Sequence, residues 1–155
     1  MTWRPELTVA AVVQHDDRFL LVEERIQRAL VVNQPAGHVE DGESILDAVM
    51  RETLEETGWH FSPSYLLGLY LWRNPDDGVS ILRVAVVGEV FDHDPSRPLD
   101  DGIVAARWMR REELLRGDVR LRSPLVLRCI DDFLAGRRHD LSALNHLDAA
   151  PIQAA

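Results

Sequence analysis

At 155 residues the chain has the size of one domain, and its 46% apolar and 28% charged content is that of an ordinary soluble globular protein. A net charge of −9 argues against a nucleic-acid or anionic-membrane surface, and no run approaches the roughly 18 apolar residues of a membrane span. All 17 basic residues are arginine, so any basic contact to phosphate comes from a planar guanidinium fork suited to bidentate binding.

The N-terminus carries Arg4 and Glu6 and no long apolar core, so no signal peptide is expected and a cytoplasmic location is. Residues 7–15 read as a nearly continuous apolar strand, the pattern of a central buried one. Asp16-Asp17 is a tight turn. Residues 18–24 are its hairpin partner, with Phe19 and Leu21 on one face and Leu20 and Val22 on the other. The polar stretch 25–29 reads as a loop over a site, and 30–34 as a short strand stopped by Pro35. A glycine-bearing loop at 37–42 leads into a helix over 44–57, with Ser44 as N-cap, Asp47 completing a weak capping box and Gly58 as left-handed stop.

Beyond the helix, 65–73 and 80–91 read as two strands joined by the turn cluster 74–78. The breaker-rich stretch 92–102 is a loop, 103–109 a short strand, and 111–115 one or two helical turns. Ser123 as N-cap and Pro124 at the first helical position open a helix to about Ala135, with Leu127, Ile130 and Leu134 on one stripe and Gly136 at its end. The single cysteine, Cys129, falls in this pattern and reads as a small buried side chain; it excludes an internal disulfide and fits a reducing compartment. Signals weaken after about residue 138, and the tail 149–155 is expected to fray. Strands dominate and two longer helices flank them, which predicts an α/β/α sandwich with a mixed sheet between helices, formed by one domain over 1–155.

The helix over 44–57 carries the chemistry. Leu46, Val49, Met50, Thr53, Leu54 and Thr57 gather on one side and are expected to pack on the sheet. Glu52, Glu55 and Glu56 stand at i, i+3 and i+4 on the other side, where each like-charged pair costs roughly 0.2–0.5 kcal/mol in an isolated helix. Glu40 and Glu43 add to the negative field. Such a face is either plain solvated surface or a seat for a divalent cation, and hard cations such as Mg²⁺ take oxygen ligands and bridge carboxylates to phosphates.

Gly37, five residues, Glu43, seven residues, then Arg51-Glu52-Thr53-Leu54-Glu55-Glu56-Thr57-Gly58-Trp59 resembles the Nudix box, so that the box spans 37–59. Thr53 and Trp59 depart from aliphatic positions of the family pattern, and both are packing positions. Segments at 9–13, 23–24, 33–38, 82–84 and 121–126 are further similar to the NudJ-type phosphatases of that family. The resemblance implies a phosphoric anhydride hydrolase that uses Mg²⁺, with Mn²⁺ as substitute. It would remove phosphate from nucleoside di- and triphosphates and from thiamine-type pyrophosphates. A MutT-like pyrophosphatase and a non-catalytic nucleotide-binding regulator are the alternatives; the intact carboxylates of the box, and a length with no room for an attached DNA-binding domain, speak against the regulator.

On this resemblance Glu52, Glu55 and Glu56 are metal ligands with the Gly37 carbonyl, and Glu52 is the base on the attacking water or the group that orients it. Glu43 and Arg51 would form an ion pair holding loop to helix. Asp100 and Asp101 offer an extra carboxylate or simply shape a turn. Arg83, in an apolar strand, needs either a phosphate or an acidic neighbour if it faces inward. Arg122, at a helix start, is a phosphate contact or a surface residue. Tyr70 and Trp72 either stack on a substrate ring or belong to the core, and His38 either touches phosphate or is a plain loop residue. The expected partner is a small phosphorylated molecule, bound by a monomer or homodimer.

Overall fold

The computed structural model describes residues 1–147; the expected fraying of 149–155 lies outside them. The first sheet is built on β1 (Glu6–Val12), whose Val9, Ala10, Ala11 and Val12 are at most 1% exposed. It lies antiparallel to β5 (Ala36–His38) and parallel to β7 (Ser80–Phe91), and β7 is flanked in turn by the antiparallel β6 (His60–Arg73). The second sheet is centred on β3 (Arg18–Ile26), which pairs with β2 (Gln14–His15), β4 (Ala29–Asn33) and β8 (Ile103–Arg110). A short β9 (Arg120–Leu121) runs parallel to β4.

Side chains alternate across these strands and so feed two cores. Val9, Ala11, Leu20, Val84 and Val86 meet Ala48 and Val49 of α1 (Ile45–Thr57). Val12, Phe19, Leu21, Ala85 and Val87 meet Val126, Cys129 and Ile130 of α3 (Leu125–Leu134). The short α2 (Arg111–Leu115) adds Leu114 to the second core. The expected α/β/α sandwich is therefore present, with two sheets rather than one between the helices. Each fully buried aliphatic side chain contributes about 1.5–3 kcal/mol of transfer free energy, so truncating Ile130 to Ala should cost about 2–5 kcal/mol.

Several boundaries differ from the expected ones for backbone reasons. The polar stretch 25–29 is not a loop: β3 and β4 pair out to Ile26↔Ala29, leaving Gln27-Arg28 as a tight turn with Gln27 at φ 56°. Satisfying the ladder outweighs polar composition there. The strand expected over 7–15 breaks after Val12, and Gln14-His15 folds back on β3 through the Asp16-Asp17 turn. Three residues of the expected 37–42 loop region and its approach form β5. β6 begins at His60, five residues before the expected start.

Both helices present different stripes from those expected. In α3, Leu125, Val126, Cys129 and Ile130 are buried while Leu134 is 53% exposed. Its cap is shifted too: Pro124 is the half-in residue, and Ser123 Oγ accepts the Leu125 N–H at 3.1 Å. In α1 the caps are as expected, with Ser44 Oγ accepting the Asp47 N–H and Gly58 at φ 74°. Its buried face, however, is Ala48, Val49, Glu52, Thr53, Glu56 and Thr57, with Leu46, Met50 and Leu54 only partly covered. Thr53 and Thr57 go inside without loss because their hydroxyls donate back to Val49 O and Thr53 O. This rotation takes two of the box carboxylates under cover.

Candidate active site

Glu52, Glu55 and Asp100 each bring a carboxylate oxygen within 4.8 Å of the others. The helix supplies two of these by its i, i+3 spacing; the third arrives from the loop after β7. That loop is pinned to the last turn of α1: Asp100 N–H donates to Glu55 O and Asp94 N–H to Gly58 O, both at 2.9 Å. These bonds satisfy carbonyls that a helix end leaves free. Asp101 is exposed and outside the cluster, so the extra carboxylate comes from Asp100.

Glu56 lies deeper, 5% exposed, with Oε1 accepting the Ala36 N–H at 2.7 Å. Burial pushes its acid up to about 9, against that hydrogen bond and helped by the nearby Glu52, Glu24 and Asp100 charges. Burial also raises Glu52, partly opposed by Arg51. Crowded acids of this kind favour either a proton or a cation, and a bound cation reverses the balance toward the ionised form. Oxygen-only donors suit a hard divalent ion such as Mg²⁺. Glu56 is thus beside the three clustered carboxylates rather than among them. Gly37, on β5, lies directly over Glu52, and a methyl group there would collide with the Glu52 carboxylate. Only glycine lets this backbone come so close.

Arg51 knits the site together. It grips Glu43 with two bonds, and Nη1 also reaches Glu52 Oε1 at 2.8 Å and Glu55 Oε2 at 3.1 Å. Nη2 donates to the carbonyl of His38 at 3.0 Å, tying helix to β5. The hydrogen bond from Arg51 is the main reason the Glu43 acid is held below its ordinary range.

A cleft of about 170 Å³ opens beside β5, and Arg83, Arg122, His38 and Trp72 all line it. Past Trp72, Arg122 and Ser123, which they share, lies a broader groove of about 690 Å³. Tyr70 does not join Trp72: its hydroxyl donates to Asp132 Oδ2 at 2.8 Å and its ring packs on the α3 core. Trp72 instead stands opposite Ile81 and lines the cleft. His38 Nε2 sits 2.7 Å from Glu6 Oε2 at the rim. Arg83 is 5% exposed and has no acidic partner among the described residues; it donates to Gln34 Oε1 and Asn33 Oδ1 at 2.9 and 3.1 Å. Among the described residues the ion-pair alternative for it is therefore not met.

Sequence reasoning missed Thr8, Asn33 and Glu24 as cleft residues. Burial raises the Glu24 acid, and the Arg122 charge opposes the rise. A carboxylate ending an apolar strand, at 23–24, was the signal available for Glu24. Nothing in the local pattern marks Thr8.

Comparison with known proteins follows the same lines. The NUDIX domain family matches residues 4–128. Phosphatase NudJ of Escherichia coli (strain K12) is 37% identical over 142 residues, 92% of each chain. A NUDIX hydrolase from Nitrosomonas europaea superposes with a TM-score of 0.91 at 46% identity, covering 95% of this chain and 100% of that one. A UDP-X diphosphatase structure superposes at 0.69 with 16% identity over 90% of this chain and 68% of that one, a likeness of fold alone.

Proposed function

The chain belongs to the Nudix family of hydrolases, and on that premise we propose that it is a Mg²⁺-dependent phosphatase of nucleoside di- and triphosphates and of thiamine-type pyrophosphates. It acts on phosphoric anhydrides; the finer substrate range is our reading. The observation that carries it is the convergence of Glu52, Glu55 and Asp100, with Glu52 beneath Gly37 at the edge of an arginine-lined cleft. The name of the 37% identical relative supports phosphate rather than pyrophosphate as product.

Glu52, Glu55 and Asp100 would hold the ion, with Glu56 behind them as a further anionic oxygen and the Gly37 backbone close by. Bound there, Mg²⁺ would neutralise phosphate charge and lower the pKa of a water. We assign Glu52 to orient that water or receive its proton, since its carboxylate is fixed by Arg51 on one side and covered by Gly37 on the other. Arg51 and Glu43 are positioning residues: they set where the carboxylates stand. Arg122 and His38 present a cation and a ring nitrogen at the rim, and Trp72 offers a flat apolar face for the organic part of the substrate.

The test is product analysis. Incubation with ATP and Mg²⁺ should release orthophosphate and leave ADP, and excess chelator should abolish it. Pyrophosphate and AMP would indicate MutT-like cleavage instead. Full turnover in excess chelator would remove the metal from the proposal altogether.

A further inference from the structure

Among the described residues, two buried side-chain polar atoms find no hydrogen-bond partner: Thr8 Oγ1 and Arg83 Nε. They belong to neighbouring residues. Thr8 pairs with Arg83 across the parallel β1–β7 ladder, and both line the cleft. On its other side Thr8 pairs with His38 of β5, next to the glycine that covers Glu52. At about 4.8 Å between strands, the row Arg83–Thr8–His38 spans about 10 Å across three neighbouring strands.

A buried guanidinium without an anion is strongly unfavourable. Among the described residues every hydrogen-bond partner of Arg83 is neutral. Two are amide oxygens, and the third is Cys129 Sγ at 3.9 Å. Burial pushes the Cys129 thiol up, so it supplies no thiolate near neutral pH. The carboxylate that lines the cleft, Glu24, has Arg122 as its cationic neighbour. Arg83 is left with positive charge and an unpartnered Nε–H, and Thr8 with an unpartnered hydroxyl, on paired residues that both line the cleft. A site built to hold an unpaired cation at this depth is a site for an anion that arrives with a ligand.

We propose that Thr8 and Arg83 form a receptor for the terminal phosphoryl group of the substrate. The phosphate chain then runs inward to the cleft floor, and the organic part lies outward past Trp72 in the broad groove. This rests on the hydrolase reading above and adds to it the direction in which the substrate lies. Orthophosphate, once released, is the product this receptor retains.

Orthophosphate is therefore the probe, titrated into the full chain in excess chelator and followed by melting temperature and calorimetry. The wild type should bind it and melt higher. Thr8→Val and Arg83→Lys should each weaken that binding by at least about tenfold, the worth of one charge-assisted hydrogen bond. Without phosphate, Thr8→Val should melt at or above wild type, because it removes a buried hydroxyl that lacks a partner. Thr8→Val decides the matter alone if Arg83→Lys does not fold. No binding by wild type, unchanged affinity in the variants, or stabilisation by uridine and not by orthophosphate would overturn the receptor. The two readings fail separately. Orthophosphate binding that depends on Thr8 in a protein unable to hydrolyse ATP would sink the hydrolase reading alone. Normal hydrolysis with variant-insensitive phosphate binding would sink the receptor alone.

Discussion

Arg51 grips Glu43 from two sides of its guanidinium, Nε to Oε2 at 2.6 Å and Nη2 to Oε1 at 2.9 Å, while its remaining nitrogen reaches Glu52 and Glu55. One cation thus orders the loop before α1 and two of the carboxylates on it. A lysine keeps the charge but has no fork. Arg51→Lys should lower turnover at least about tenfold and metal-free stability by about 1–3 kcal/mol, the worth of hydrogen bonds between charged groups. Saturating Mg²⁺ should recover part of the stability by linkage. Kinetics beside melting curves with and without Mg²⁺ check this, and normal turnover in the variant would remove Arg51 from the site.

Glu55→Gln and Glu56→Gln should separate metal binding from folding. Gln has nearly the helix propensity of Glu; Glu55→Gln relieves repulsion within a crowded acidic group, and Glu56→Gln replaces an acid that burial already pushes up to about 9. Glu56→Gln also keeps an oxygen for the Ala36 N–H. Metal-free melting temperatures should match or exceed wild type, the Mg²⁺-induced melting shift should shrink, and turnover should fall about 10–100-fold or more. A harmless change in both assays would mark an ordinary acidic surface.

Gly37→Ala puts a methyl against the Glu52 carboxylate. That carboxylate can swing aside, so the stability cost should stay within about 1–3 kcal/mol while turnover collapses. Gly42→Ala is the control. Its position is open but left-handed, at φ 81°, so it should lose about 1–2 kcal/mol and keep its turnover with saturating Mg²⁺. Equal losses of activity in the two variants would deny Gly37 a special place.

Asp132 gives a pH prediction away from the site. Burial alone raises its acid, but the Tyr70 hydroxyl, Arg128 and Arg137 outweigh burial and hold it below the ordinary carboxylate range. A depressed folded-state pKa adds stability above the unfolded value, about 3.9, and that stability is lost as pH falls through the folded value. Asp132→Asn should therefore be less stable than wild type at pH 7, by about 1–3 kcal/mol, and the gap should narrow below about pH 4. A gap independent of pH would show that the loss is one of packing.

By itself the sequence determined the pieces whose physics is local. Ser44, Gly58 and the 3.6-residue period are enough to place α1 and to set Glu52 one turn from Glu55 and Glu56. A nearly continuous apolar run is enough to place β3 and β7, because both of their faces are buried over much of their length. What the tertiary structure alone decided is how these pieces are turned and what meets them. The rotation of α1 depends on β5 offering the Ala36 N–H to Glu56, an interaction across 20 residues of chain. Asp100 rather than Asp101 joins the carboxylates because the loop is pinned to the Glu55 carbonyl. Tyr70 and Trp72 share a face of β6, yet one reaches Asp132 on α3 and the other reaches the cleft. Thr8 and Arg83 become neighbours only through a parallel pairing of strands 75 positions apart, written Thr8↔Arg83 in the ladder. Local propensity carries no record of such pairings, since they are chosen by which buried faces and unpaired polar groups the whole fold brings together.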